Sequence, residues 1–115
     1  MQAPEAAKYL YDIQEACAKL LRFGSGKSLA EYEADDLLRS AVERQFMVIG
    51  EALVQSRMKD PATTGKIRGA HHIIGFRNRL VHGYSAISNR TVWEIYEREL
   101  PGLAHEIKSL LELMP

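Results

Sequence analysis

The sequence predicts an all-α protein, an up-and-down bundle of four to five helices. Three observations carry this. Apolar residues recur at helical spacing along the chain, and no alternating run is long enough to make a useful strand. Helix starts and stops, written in serine, glycine and proline, fall between those amphipathic segments. A length of 115 residues with 46% apolar content suits one domain, residues 1–115, around one core.

The elements follow in order. The first helix begins near Pro4, where a missing N–H costs nothing. Leu10, Ile13, Cys17, Leu20 and Leu21 form its apolar stripe, and Gly24 and Gly26 end it. Ser28 and Glu31 have capping-box spacing, each side chain satisfying a free backbone donor of the other. They open a long second helix with a break near Asp35. Its inner face is Leu38, Ala41, Val42, Gln45, Phe46, Ile49, Ala52 and Leu53. Asp60 to Gly65 reads as the clearest loop. The third helix is expected from Lys66 to His82, with Ile67, Ala70, Ile73, Ile74, Leu80 and Val81 inward and Gly83 as its stop. A fourth runs from Asn89 to Leu100, with Thr91 and Glu94 as a capping pair. Pro101 must kink or break it. Leu103, Ile107, Leu110 and Leu111 continue the stripe to the end.

Composition excludes several classes. The single cysteine, Cys17, rules out an internal disulfide and a thiolate cluster, and its place on an apolar stripe suits core packing. No secretory pattern opens the chain, and no stretch approaches the ~18 apolar residues of a membrane span. A soluble, cytoplasmic protein is the expectation. A domain this small leaves much apolar surface exposed, which favours a partner chain.

The formal net charge of zero hides an asymmetry. Residues 56–90 carry Arg57, Lys59, Lys66, Arg68, Arg77, Arg79 and Arg90 against Asp60 alone. The flanking segments are both acidic on balance. A basic segment can bind phosphates even in a neutral protein, though charge alone equally describes a solvated loop.

Within that segment lies Arg77-Asn78-Arg79-Leu80-Val81-His82-Gly83-Tyr84, an R-N-x-x-x-H-x-Y pattern at a predicted helix end. Histidine moves protons near neutral pH, and arginine grips phosphate with two prongs. Taken singly, each residue has a plain structural explanation. His82 could be a C-terminal histidine favoured by the helix dipole, the arginines surface charge, and Asn78 and Tyr84 a turn and a packed ring. Together they suggest phosphate chemistry, and RNA cleavage in particular. At about 100° per residue, Asn78 and Arg79 each neighbour His82, whereas Arg77 lies about 140° away from it. Two motifs facing each other across a symmetric dimer would remove that difficulty.

Arg77 to Tyr84 resembles the R-x-x-x-x-H-x-Y motif of the HEPN superfamily, specifically its HepT-like ribonuclease toxins. The likeness extends to Tyr9–Ile13, to Ala41–Arg44 through Ile49–Ala52, and to Val92-Trp93 and Leu100-Pro101. The resemblance implies a homodimeric helical bundle acting as the toxin of a type II/VII-like toxin–antitoxin pair. It also implies a minimal nucleotidyltransferase (MNT) antitoxin partner that can attach AMP to the motif tyrosine, here Tyr84. A bulky anion there would repel and displace the substrate phosphate.

RNA supplies its own nucleophile, the 2′-hydroxyl. On this scheme His82 transfers the proton and Arg77 stabilises the pentacoordinate phosphate. Asn78 orients His82 or the phosphate, and Arg79, Arg68 and Lys66 hold the RNA backbone. No metal or cofactor is required, and the products are a 2′,3′-cyclic phosphate and a 5′-hydroxyl. His71 and His72 are adjacent and cannot share one metal from one helix face. Glu51 is expected in a structural ion pair with Arg77 or Arg44, and Trp93 and Tyr96 in the core or a dimer contact. Two other readings stay open: a non-catalytic nucleotide- or partner-binding subunit of a nucleotidyltransferase complex, and a helical adaptor unrelated to RNA.

Overall fold

The computed structural model describes residues 6–82 and 87–114. Among them are seven helices and no strand: α1 (Ala7–Gly24), α2 (Leu29–Ala34), α3 (Asp36–Lys59), α4 (Pro61–Thr64), α5 (Ala70–Val81), α6 (Asn89–Arg98) and α7 (Leu100–Glu112). The all-helical expectation holds. None of these helices is long and apolar enough to cross a membrane.

The longest helix, α3, is the centre of the packing. It lies against α1 on one side and α5 on the other, and α7 closes over α1. Its inward residues Leu38, Val42, Phe46, Ile49 and Leu53 are buried, as the spacing predicts. Ala41 and Gln45 stand half-buried at the edge of that face. Phe46 meets Phe76 of α5 edge-on, with ring centroids 5.2 Å apart.

Local signals set most boundaries. The Ser28–Glu31 capping box is formed in full at the start of α2. The break falls at Asp35, whose carboxylate accepts the Leu38 N–H at 3.0 Å and starts α3. Pro101 stands in the first turn of α7, directly after the break at Glu99. Cys17 is buried, and burial pushes its thiol up to about 12.

Four expectations need correction. Residues 60–65 are not a plain loop, because Asp60 caps a short helix, α4: its carboxylate accepts the Thr63 N–H at 3.1 Å and the Thr63 hydroxyl at 2.7 Å, with Pro61 in the first turn. The next helix starts at Ala70 rather than Lys66, since residues 66–69 turn to bury Ile67 and bring the Arg68 N–H to Glu106 Oε2 of α7 at 3.2 Å. Ser88, not a Thr91–Glu94 pair, caps α6, accepting the Thr91 N–H at 3.1 Å. Leu21 and Val81 are exposed rather than inward. Leu20 already takes the inward position beside Leu21, and neighbouring helix residues cannot share a direction. Val81 lies two turns beyond the buried Ile74, on the same side of α5, but open space rather than core lies over it. The expected stops and starts at Gly83 and Pro4 lie outside the described residues.

Aromatic rings tie the far end together. Trp93 stacks on Tyr96 at 4.5 Å and on Tyr32 at 5.0 Å, and the Tyr96 hydroxyl donates to the Leu20 carbonyl at 2.9 Å. Both Trp93 and Tyr96 are core residues. Trp93→Ala is expected to cost about 3–5 kcal/mol, and Tyr96→Phe about 1 kcal/mol through the lost hydrogen bond. Urea unfolding followed by circular dichroism measures both.

Candidate functional site

Arg77 to Val81 form the last turns of α5, and helix geometry divides the side chains of the motif's described residues between different surfaces. Arg77 turns toward α3. There Glu51 Oε2 accepts from Arg77 Nη2 at 2.6 Å, and Asn78 Oδ1 accepts from Nη1 at 2.9 Å. Gln55, one turn along α3, donates to the other Glu51 oxygen at 3.2 Å. The result is a chain of polar contacts, Gln55 to Glu51 to Arg77 to Asn78. The expected Glu51 ion pair exists, and of its two candidate partners it takes Arg77.

This chain forms one wall of an open cleft of about 640 Å³ between α1, α3 and the end of α5. Tyr9, Val48 and Val81 give it apolar lining, and its charged lining is balanced, with Lys19, Arg44 and Arg77 set among Asp12, Glu15 and Glu51. The Arg77 stem is largely covered, and Nε is buried with no hydrogen-bond partner among the described residues. A guanidinium has five N–H donors. Glu51 and Asn78 take one each and Nε–H is enclosed, so one N–H on each outer nitrogen remains for a ligand. Two outward N–H groups on a planar fork match two phosphate oxygens.

Arg79 points elsewhere. About 200° around the helix from Arg77, it lines a second groove, of about 460 Å³, between α5 and α6. His71, His72, Gly75, Arg98 and Glu99 share that groove, and His72 Nδ1 lies 2.6 Å from Glu99 Oε1. This pair joins residues far apart in sequence, and no local pattern announces it. Lys66 and Arg68 are exposed at the opposite end of α5 from His82, roughly 18 Å along a twelve-residue helix.

His82 closes α5 as its C-cap, its N–H donating to the Asn78 carbonyl at 3.1 Å. Its side chain is exposed and lines neither cavity. The structure therefore brings Arg77 and Asn78 together, sets His82 one turn beyond them, and sends Arg79 to another face. Tyr84 lies outside the described residues. Among the described residues, no three His, Cys, Asp or Glu side chains gather as metal ligands would.

Sequence reasoning missed Gly50 and Gln55. Gly50 is buried where α3 meets the Arg77 stem. Its one sequence signal is a glycine in the interior of a strongly helical stretch, where glycine is disfavoured.

Comparison with known proteins bears on these observations. A family model described as Ribonuclease HepT-like matches residues 13–110. A relative from Caldanaerobacter subterraneus subsp. tengcongensis, named "Putative RNase", is 29% identical over 104 residues, covering 90% of this chain and 92% of its own. Two "Putative RNase" relatives from Methanocaldococcus jannaschii are similar in degree. One is 29% identical over 104 residues, 90% of this chain and 85% of its own; the other is 28% identical over 112 residues, 94% and 98%. No solved structure matches. With an all-helical fold, an R-x-x-x-x-H motif and a family match across nearly the whole chain, this protein belongs to the HepT-like ribonuclease family.

Proposed function

We propose that this protein is a metal-independent endoribonuclease that acts as the toxin of a toxin–antitoxin pair. The observation that carries the reading is Arg77: its guanidinium is anchored in the wall of an open cleft, one turn from His82, with one N–H on each outer nitrogen unpaired among the described residues. In the reaction His82 takes the proton of the RNA 2′-hydroxyl, and the oxygen attacks the adjacent phosphorus. Arg77 stabilises the charge that grows on the phosphoryl oxygens. The protonated His82 gives its proton to the departing 5′-oxygen, leaving a 2′,3′-cyclic phosphate and a 5′-hydroxyl. Asn78 holds one prong of Arg77, so its role is to orient the guanidinium. Arg79, Arg68 and Lys66 contact the RNA backbone away from the scissile bond.

A homodimer completes this site. Arg77 and His82 diverge around one helix, so a phosphate gripped by Arg77 is best reached by the His82 of a second copy. Val81, exposed at the rim of the Arg77 cleft, is an apolar surface that such a copy would cover. An MNT-type nucleotidyltransferase is the antitoxin partner, and AMP on Tyr84 is the inactivating modification. A second reading has one observation in its favour. Arg77 is already paired with Glu51, as in a subunit whose motif binds nucleotide or partner without cutting RNA. Growth arrest on expression of the wild-type chain, absent for His82→Ala, decides between the two.

Three outcomes are expected. Purified wild-type protein cleaves RNA to 2′,3′-cyclic phosphate ends in the presence of EDTA, and His82→Ala lowers kcat/KM by about 10²–10⁴-fold. Activity that vanishes in EDTA and survives His82→Ala would contradict the scheme. Mixing Arg77→Ala and His82→Ala chains in equal amounts restores about a quarter of wild-type turnover, by the statistics of subunit exchange, if the site is shared. Mixtures no more active than either parent count against sharing. Co-expression with a neighbouring nucleotidyltransferase gene adds mass in steps of one AMP, and Tyr84→Phe abolishes the steps.

A further inference from the structure

We propose that Gly50 is a positioning residue for Arg77: α3 omits a side chain there so that the arginine stem can cross it and deliver the guanidinium to Glu51 and the cleft. This rests on the nuclease reading of Arg77. The crossing is close. A Cβ added at Gly50 would lie 2.2 Å from Arg77 Cβ, 2.4 Å from Cγ and 3.3 Å from Cδ. Three successive stem carbons thus lie over the glycine. The nearest of them is fixed to the α5 backbone, so a rotamer change cannot clear it.

Gly75 supplies the contrast. It is also inside a helix, yet an added Cβ there would meet nothing within 4 Å. Glycine at position 50 is demanded by a neighbour, and the neighbour is the motif arginine. The buried Nε of Arg77 points the same way. A buried donor without a partner is unfavourable, and such groups persist where the surroundings hold them for another purpose. Here the stem is pressed against bare α3 backbone while both outer nitrogens reach their acceptors. Glu51, the next residue of α3, is then within reach of Nη2. Of these two adjacent residues, one makes room for the stem and the other anchors its tip.

The test uses the full chain and two readouts. In ¹⁵N-labelled protein, the Arg77 Nε–H signal, assigned by its loss in Arg77→Lys, is expected to be protected from exchange with water. Gly50→Ala should shift it and speed its exchange at least about tenfold. In RNA cleavage the same variant should lower kcat by roughly a hundredfold, the scale of a displacement of about 1 Å at a reacting group, with KM changed less than about threefold. Unchanged exchange together with kcat within about threefold of wild type overturns the proposal.

If Gly50→Ala proves too unstable to assay, thermal unfolding of a double-mutant cycle decides instead. In an Arg77→Gly background, with the stem and its Cβ removed, Gly50→Ala should raise Tm, because alanine is the better helix former. An equal fall in Tm in both backgrounds overturns the proposal, since the glycine would then serve the α3–α5 backbone contact alone. Wild-type protein that cleaves no RNA would remove the nuclease reading, while the exchange and Tm measurements would still report on the Gly50–Arg77 crossing.

Discussion

The site depends on how closely α5 crosses α3. An arginine pointing at the side of another helix normally lies along its surface or swings to solvent. At Gly50 there is no side chain in the way, so the Arg77 stem is held between two backbones and its tip emerges beside Glu51. The ion pair that results is not a large source of stability. The Glu51 side chain is 49% exposed and that of Arg77 24%, and pairs of this kind contribute about 0–1 kcal/mol after solvent screening. Its value is geometric. A carboxylate at 2.6 Å on one nitrogen and an amide oxygen at 2.9 Å on the other fix the plane of the fork. Energy and function therefore separate here: Phe46, Phe76 and the stacked Trp93 hold the fold, and the polar chain only aims a charge.

The same pair sets a condition on binding. Glu51 is an anion next to the group meant to receive an anion. A phosphate near Arg77 gains from the guanidinium and loses from the carboxylate. That arrangement favours a ligand whose charge grows during reaction over one whose charge is already present, because the strongest charge-assisted bonds form where the most charge develops. It also keeps the guanidinium paired until a ligand arrives, at little cost in an exposed setting.

Much of the fold is legible in the sequence because its signals are local. The capping box at Ser28, the break at Asp35, the proline after Glu99 and the apolar stripe of α3 each need only neighbours within one helical turn. The errors divide by reach. Asp60 reads as part of a turn, whereas its carboxylate closes onto Thr63 to start a helix, a local signal with two meanings. The delayed start of α5 depends on Glu106 of α7 reaching the Arg68 N–H, a contact that no window around residue 68 contains. At the site, the angular arithmetic of one helix separates Arg77 from His82, and the Glu51 pair is foreseen with a choice of two partners. Gly50 shows in the sequence only as a glycine out of place in a helix, because its meaning lies in a side chain on another helix. The His72–Glu99 pair escapes for the same reason.

Charge does not gather at the motif either. Seven cations against one anion in a short run of sequence suggest a single positive patch. Folding disperses them. Lys66 and Arg68 stand at one end of α5, Arg79 faces the α6 groove beside Glu94 and Glu99, and Arg77 is already paired. The two ends of α5 are roughly 18 Å apart, about twice the ~8–10 Å over which exposed charges act at ordinary salt. No summed field from this segment can therefore attract a phosphate to one point. With the cleft's other cations, Lys19 and Arg44, offset by Asp12, Glu15 and Glu51, affinity for a phosphodiester at the motif rests on contact with the Arg77 fork. A site that works by contact tolerates little displacement, and this is why a missing side chain on α3 matters as much to it as the charges on α5.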